Sequence, residues 1–175
     1  MKFVSFGENL ADLVRPLLIN AYQMGSGYEQ KEDGSVVTSV DRDVEKLIRR
    51  QINKTFPNHG ILGEEFENER LGSDFIWVVD PIDGTRAFAA GIPNFGCLIS
   101  LCFEGKPILG IIEVPLAGLR AVGVIGHPTL VNGLLNEVKI MTEELYERML
   151  EDTKQNEGYY KLKQTNIDYA ALYPE

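Results

Sequence analysis

Near the middle of the chain, Trp77-Val78-Val79-Asp80-Pro81-Ile82-Asp83-Gly84-Thr85 sets an apolar strand directly against two carboxylates. Pro81 fixes its own φ, Gly84 permits a close backbone approach, and Asp80 and Asp83 are expected to converge on one point at the strand end. Gly84 and Thr85 then open a helical turn whose first N–H groups lack helical partners and suit an anion. Carboxylates beside exposed amides suit Mg²⁺, which takes few carboxylates, keeps several waters and bridges to a phosphate. In isolation an Asp-Pro-x-Asp-Gly segment would be a polar turn with an N-capping Asp. The strand before it and the Thr after it favour chemistry. Two weaker signals accompany it. Gly63-Glu64-Glu65 also follows an apolar run, and Asp41, in Val37-Thr38-Ser39-Val40-Asp41, stands at a helix start. Taken alone, the first is a solvated Glu pair and the second a carboxylate favourable to the helix dipole.

The elements that must position these groups are legible from periodicity. Leu10, Leu13, Val14, Leu17, Leu18 and Ala21 form the stripe of an amphipathic helix ending near Gly25 and Gly27. Pro16 lies inside it, so the helix is either kinked there or starts later than the stripe suggests. After the polar, turn-rich Lys31–Ser35 segment, a second helix follows Ser39. Val40, Val44, Leu47, Ile48 and Ile52 form one face; Arg42, Glu45, Arg49 and Arg50 lie mainly on the other. The period then changes to short β-rich runs at Ile61-Leu62, Phe75–Val79, Cys97–Phe103, Ile108–Val114 and Leu119–Ile125. Glu104-Gly105-Lys106-Pro107 reads as a hairpin turn. Thr142 is a candidate N-cap, followed by a helix burying Leu145, Met149 and Leu150. Two helices leading into a mainly antiparallel sheet predict a layered α+β domain, taken as one unit over residues 1–175.

Composition narrows the class. With 17 Lys and Arg against 26 Asp and Glu, the net charge of −9 argues against nucleic acid or an anionic membrane as partner. A phosphate substrate would instead need carboxylates loaded with divalent cations. No run of about 20 apolar residues predicts a membrane helix, and no secretory signal is visible at Met1–Phe6. Cys97 and Cys102 read as reduced strand-borne thiols, consistent with a cytoplasmic protein. With two His and no Gly-x-Ser-x-Gly, a Ser-His-Asp hydrolase is disfavoured, and neither His59 nor His127 is assigned a role.

Asp41, Glu64, Asp80 and Asp83 stand together in an order and context that resembles the inositol monophosphatase-like, lithium-sensitive phosphatase superfamily. The resemblance runs from about Leu10 to Ile125 and includes Lys31–Ser35, Phe56-Pro57-Asn58-His59-Gly60-Ile61-Leu62-Gly63-Glu64-Glu65 and Asp80–Thr85. It implies the layered αβαβα sugar-phosphatase fold and Mg²⁺-dependent hydrolysis of a small phosphate monoester. It further implies metal ligation by Glu64, Asp80, Asp83 and the Ile82 carbonyl. Thr85, linked to Asp41, would help activate water, and the Gly84 and Thr85 amides would hold phosphate. Multi-metal hydrolysis divides activation of water and stabilisation of the leaving oxygen between ions. Arg86-Ala87-Phe88 with Gly91-Ile92-Pro93 is more similar to histidinol-phosphate phosphatases than to inositol-phosphate members, which usually carry Thr-Asn-Phe. For Arg86 itself, a substrate contact and a structural ion pair remain equally open. The family's late metal-binding Asp is matched by Asp168 in Ile167-Asp168-Tyr169-Ala170-Ala171-Leu172, which alone would be a helix-start Asp. The stretch from Asp83 to Asp168 is shorter than is usual, so either residues are missing or the C-terminal third is naturally shortened. The second alternative would allow an inactive member that binds metal or a partner. Homodimerisation is an expectation carried from the family.

Overall fold

The computed structural model describes residues 2–25, 27–30 and 36–135. Asp168 and the helix expected after Thr142 lie outside the described residues, as does the greater part of the C-terminal third.

Helix α1 (Lys2–Met24) starts eight residues before Leu10 and runs through Pro16. The later start is therefore not what occurs. Phe3, Phe6 and Gly7 extend the apolar stripe N-terminally, and the i, i+3, i+4 pattern they set buries Leu10, Ala11, Val14 and Leu18. That frame leaves Leu13 and Leu17 half-exposed at 44% and 42%, although both belong to the expected stripe. Gly7 belongs to the contact itself: a Cβ there would stand 2.6 Å from Ile111. A two-stranded hairpin, β1 (Tyr28–Gln30) with β2 (Val36–Thr38), leads into α2 (Ser39–Thr55). Thr38 caps α2 in a capping box with Asp41.

Seven strands form one sheet in chain order: β3 (Gly60–Gly63), β4 (Phe75–Asp83), β5 (Gly96–Phe103), β6 (Lys106–Val114), β7 (Leu119–Val124), β8 (Leu130–Val131) and β9 (Leu134–Leu135). β3 pairs parallel to β4; every other pair is antiparallel. A five-residue helix, α3 (Thr85–Ala89), follows β4. The β5–β6 hairpin turns on Glu104 and Gly105, both at positive φ (48° and 79°), as a two-residue turn matched to strand twist requires. The core gathers α1 and α2 against one face of the sheet, with Trp77, Val79, Ile99, Leu101, Leu109 and Ile111 at its centre. Trp77 is fully buried, and its indole N–H donates to His59 Nδ1 at 3.1 Å. His59 lies stacked between the rings of Phe56 and Phe75. Burial, aided by the Lys2 charge, lowers its pKa. Its place is in this packing, not in the carboxylate site.

Candidate functional site

β4 continues four residues beyond the expected Val79 and carries the whole Asp80-Pro81-Ile82-Asp83 segment within the strand. In a regular strand, residues three apart point to opposite faces. Here Asp80 pairs with Leu98 and Asp83 with Gly96, so three steps on β4 oppose two on β5. This bulge inserts one residue and reverses the parity. Pro81 and Ile82 are consequently both buried in succession, and Asp80 and Asp83 come back to the same side. Pro81, which has no N–H to give, is tolerated where the ladder is already interrupted. Gly84 follows with φ +89°, and a Cβ there would stand 3.0 Å from the Asn94 carbonyl oxygen. Only glycine serves both the left-handed backbone and the close approach.

Glu64 comes from the end of the neighbouring parallel strand β3. Its carboxyl shares a hydrogen bond with Asp80. Burial first, then this bond and the charges of Glu64 and Asp83, push the Asp80 carboxyl up to about 7; an Ile82 backbone N–H works in the other direction. Asp80 Oδ1 is buried with no hydrogen-bond partner. A buried unsatisfied carboxylate oxygen is costly and calls for an explanation. Among the described residues, no three His, Cys, Asp or Glu side chains are already gathered to enclose an ion. The arrangement is thus a contacting Glu64–Asp80 pair with Asp83 acting through its charge, rather than a closed cage. The donor chemistry nevertheless fits a hard divalent cation: only oxygens are on offer, and one of them is an orphaned, buried carboxylate oxygen.

Asp41 is fully buried. Its Oδ2 accepts from the Thr38 N–H at 2.8 Å and the Thr38 hydroxyl at 2.5 Å. Its Oδ1 faces the Thr85 hydroxyl at 3.2 Å, and that hydroxyl also lies 2.8 Å from the Ile82 carbonyl oxygen. The helix-capping role and the contact with Thr85 are therefore held by one side chain. The expected pairing of Asp41 with Thr85 is present across 44 residues of sequence. Arg86 and Ala89 line an open cleft of about 380 Å³ with Tyr28, Gln30 and Ala90. Cys97 is fully buried one residue from the Leu98 partner of Asp80; burial and the charges of Asp80 and Glu113 raise its pKa, so it is no nucleophile.

The structure corrects the reading of one helix face. Glu45 and Arg49, expected on the polar side of α2, are both buried. Glu45 Oε2 accepts from the backbone N–H groups of Glu64 (3.1 Å) and Glu65 (2.8 Å), and Arg49 Nε donates to Glu45 Oε1 at 2.8 Å. Glu and Arg at i, i+4 usually signal a solvated pair. Nothing local announces that a loop will cover them. Thr38 is different: Thr-x-x-Asp ahead of an apolar stripe is close to a capping-box pattern and could have been found.

A bulged strand end bearing two aspartates, a neighbouring strand delivering a glutamate, and a contact between buried Asp41 and half-buried Thr85 define a carboxylate-centred site on a mixed α+β sheet. The described part of the chain has the fold of solved inositol monophosphatases: an IMPase of Thermotoga maritima superposes with TM-score 0.71 at 30% identity, covering 76% of this chain and 52% of that one. The inositol monophosphatase family model matches residues 2–166. The chain belongs to the inositol monophosphatase family. It is 40% identical over 113 residues to a histidinol-phosphatase of Chlorobaculum parvum, covering 65% of this chain and 44% of that protein. It is 37% identical over 134 residues to the chloroplastic bifunctional phosphatase IMPL2 of Arabidopsis thaliana, covering 75% of this chain and 39% of that protein. The chain thus spans less than half the length of these two relatives. Among the described residues no helix is long and apolar enough to cross a membrane.

Proposed function

We propose that this protein is a Mg²⁺-dependent phosphomonoesterase, with histidinol phosphate preferred over inositol monophosphate. The observation that carries the reading is Asp80, whose buried Oδ1 has no hydrogen-bond partner and whose carboxyl bonds Glu64 and feels the charge of Asp83. A cation would be held by Glu64, Asp80 and Asp83 with the Ile82 carbonyl, and Asp168 is assigned to the same set. The bound cation supplies charge neutralisation for a transferring phosphoryl group and makes water more acidic. The side chains do the rest. Asp41, with Oδ2 held by Thr38, has Oδ1 within reach of the Thr85 hydroxyl, whose single proton the Ile82 carbonyl also attracts. With that carbonyl turned to a cation, the proton is left to Asp41 and the Thr85 oxygen is free to accept one from water. The N–H groups of Gly84 and Thr85, at the start of α3, are the groups assigned to the phosphate. Arg86 is assigned to the substrate's leaving group, from its place in the cleft after Thr85 and from the similarity to a histidinol-phosphatase.

The test is phosphate release from histidinol phosphate and from inositol monophosphate, each with Mg²⁺ and with chelator. Mg²⁺-dependent release that falls to background in Asp80→Asn, and that is faster for histidinol phosphate, is the expected result. Release from neither ester by a folded chain would discard this reading in favour of an inactive family member that binds metal or a partner.

A further inference from the structure

We propose that Glu45, acting with Arg49, is the positioning residue for Glu64, holding the Gly63–Glu69 loop so that the Glu64 side chain starts from a fixed backbone beside Asp80. This inference rests on the metal-site reading above and adds a residue to it. Glu45 lies in the middle of α2, not at a helix end, and is completely buried. A carboxylate so deep must be satisfied on both oxygens. Oε1 takes the Arg49 guanidinium, one helical turn on. Oε2 receives two successive backbone N–H groups, those of Glu64 and Glu65. Charge-assisted bonds to a carboxylate are roughly twice as strong as neutral ones, and two of them fix the plane of the peptide that carries Glu64.

Arg49 ties down the far side of the same loop. Its Nη2 donates to the Phe66 carbonyl at 3.1 Å, and its Nη1 meets Glu69 Oε1 at 2.9 Å. Glu69 in turn bridges back to Ile61 through a pair of backbone bonds of 2.8 and 2.9 Å. Gly63 makes the approach possible. A Cβ at that position would overlap Glu45 Oε1 and lie 2.6 Å from Arg49 Nη2. The helix and the loop are thus pressed together at the residue just before Glu64. Replacing a buried ion pair with apolar groups often costs no stability, so stability alone does not explain these charges here. Their backbone partners do: they orient the segment that presents Glu64.

The experiment is an electron paramagnetic resonance titration of the full 175-residue chain with Mn²⁺. It compares wild type, Glu45→Gln, Glu64→Gln and the double variant, with thermal unfolding run alongside to check folding. Glu45→Gln keeps the side chain's size but loses the charge that gathers the two amides. Each single variant is expected to weaken Mn²⁺ binding by about tenfold or more, the usual effect of losing a ligand's supporting partner. The double variant is expected to bind no worse than Glu64→Gln alone, because both changes act through one ligand. An unchanged affinity in folded Glu45→Gln, with Glu64→Gln weakened, overturns the positioning role and leaves the metal reading intact. Fully additive losses also overturn it. An unchanged affinity in Glu64→Gln overturns the metal reading itself. Should Glu45→Gln not fold, Arg49→Lys carries the same cycle, since it keeps the charge but loses the fork joining Glu45 to Phe66. An unchanged affinity in that variant would equally overturn the role.

Discussion

Glu45 and Glu113 are both completely buried in this fold, and they are neutralised in different ways. Glu113, in β6, is gripped by two side chains: Arg15 from α1, and Arg120 from β7 at 2.6 Å. Arg120 also reaches Asp12 of α1 at 2.7 Å. Both bonds to Glu113 come from side chains, and Arg120 also donates to the Glu8 carbonyl of α1 at 3.5 Å, so the network clamps α1 onto the sheet. Glu45 has one arginine and spends its other oxygen on the backbone of the loop carrying Glu64. The same residue type at the same depth therefore does two jobs. A carboxylate held by flexible arginines fastens elements together, whereas one held by consecutive amides fixes where the next side chain begins.

The sharpest break in this comparison is kinetic. Glu45→Gln should lower Mg²⁺-dependent phosphate release by about 10- to 100-fold, while Glu113→Gln should leave it within about threefold, since among the described residues no site carboxylate hangs from Glu113. Glu45→Gln should lose stability on the order of 3 kcal/mol in urea titrations, because it leaves the buried Arg49 charge short of its partner, and Glu113→Gln should lose less, since Arg15 and Arg120 keep contact with water. Equal loss of activity in the two variants would erase the distinction.

Next in size is a pair of glycines. Gly63→Ala drives a methyl group into Glu45 and Arg49, and should cost about 2–3 kcal/mol together with most of the metal affinity. Gly118→Ala meets nothing within 4 Å and carries only the strain of φ +63°, about 1 kcal/mol. Denaturant midpoints with unchanged slopes would check both values.

The pH dependence of the metal-free chain separates Asp80 in β4, which bonds Glu64, from Glu69 at the far end of the Gly63–Glu69 loop. Asp80 has its pKa raised from 3.8 to about 7, so folding favours its protonated form. That contribution is present in full below about pH 4 and is lost as pH rises through about 7. Glu69 goes the other way. Its burial is outweighed by bonds from Arg49 and Asn53 and by the Arg70 charge, which hold the carboxyl below its usual range. Its contribution is present above the usual carboxylate range and is lost on acidification. In chelator, the melting temperature should fall between pH 5 and 8, and Asp80→Asn should remove that fall. A profile identical in wild type and Asp80→Asn would remove Asp80 as its source.

The smallest effect belongs at the surface. Arg42 and Glu29 form a 2.9 Å ion pair, but Glu29 is 69% exposed. Arg42→Ala should change stability by less than about 1 kcal/mol and leave Mn²⁺ binding unaltered. A larger change would mean that exposure does not separate these pairs from the buried ones.

Much of the architecture was legible because it is local. The helical stripes, the β-rich runs and the turn at Glu104-Gly105 each follow from periodicity or from a backbone requirement within a few residues. The α1 frame was misjudged because Leu13 and Leu17 are apolar without being buried, and only the partner surface chooses which side of a broad stripe faces inward. The short strands at Tyr28–Gln30, Leu130–Val131 and Leu134–Leu135 are too brief to leave a pattern. In the site, Asp80 and Asp83 announced themselves by following an apolar strand, and Asp41 by its helix-start position.

By itself, the sequence determined that carboxylates and a glycine would stand at a strand end, since side-chain chemistry and allowed φ are properties of the residue. Only the tertiary structure decided that a bulge turns Asp80 and Asp83 to one side, that Thr85 meets Asp41, and that Glu45 is buried under the Glu64 loop. Those outcomes depend on register between strands and on which surface closes over which. Both are set by contacts between residues far apart in the chain.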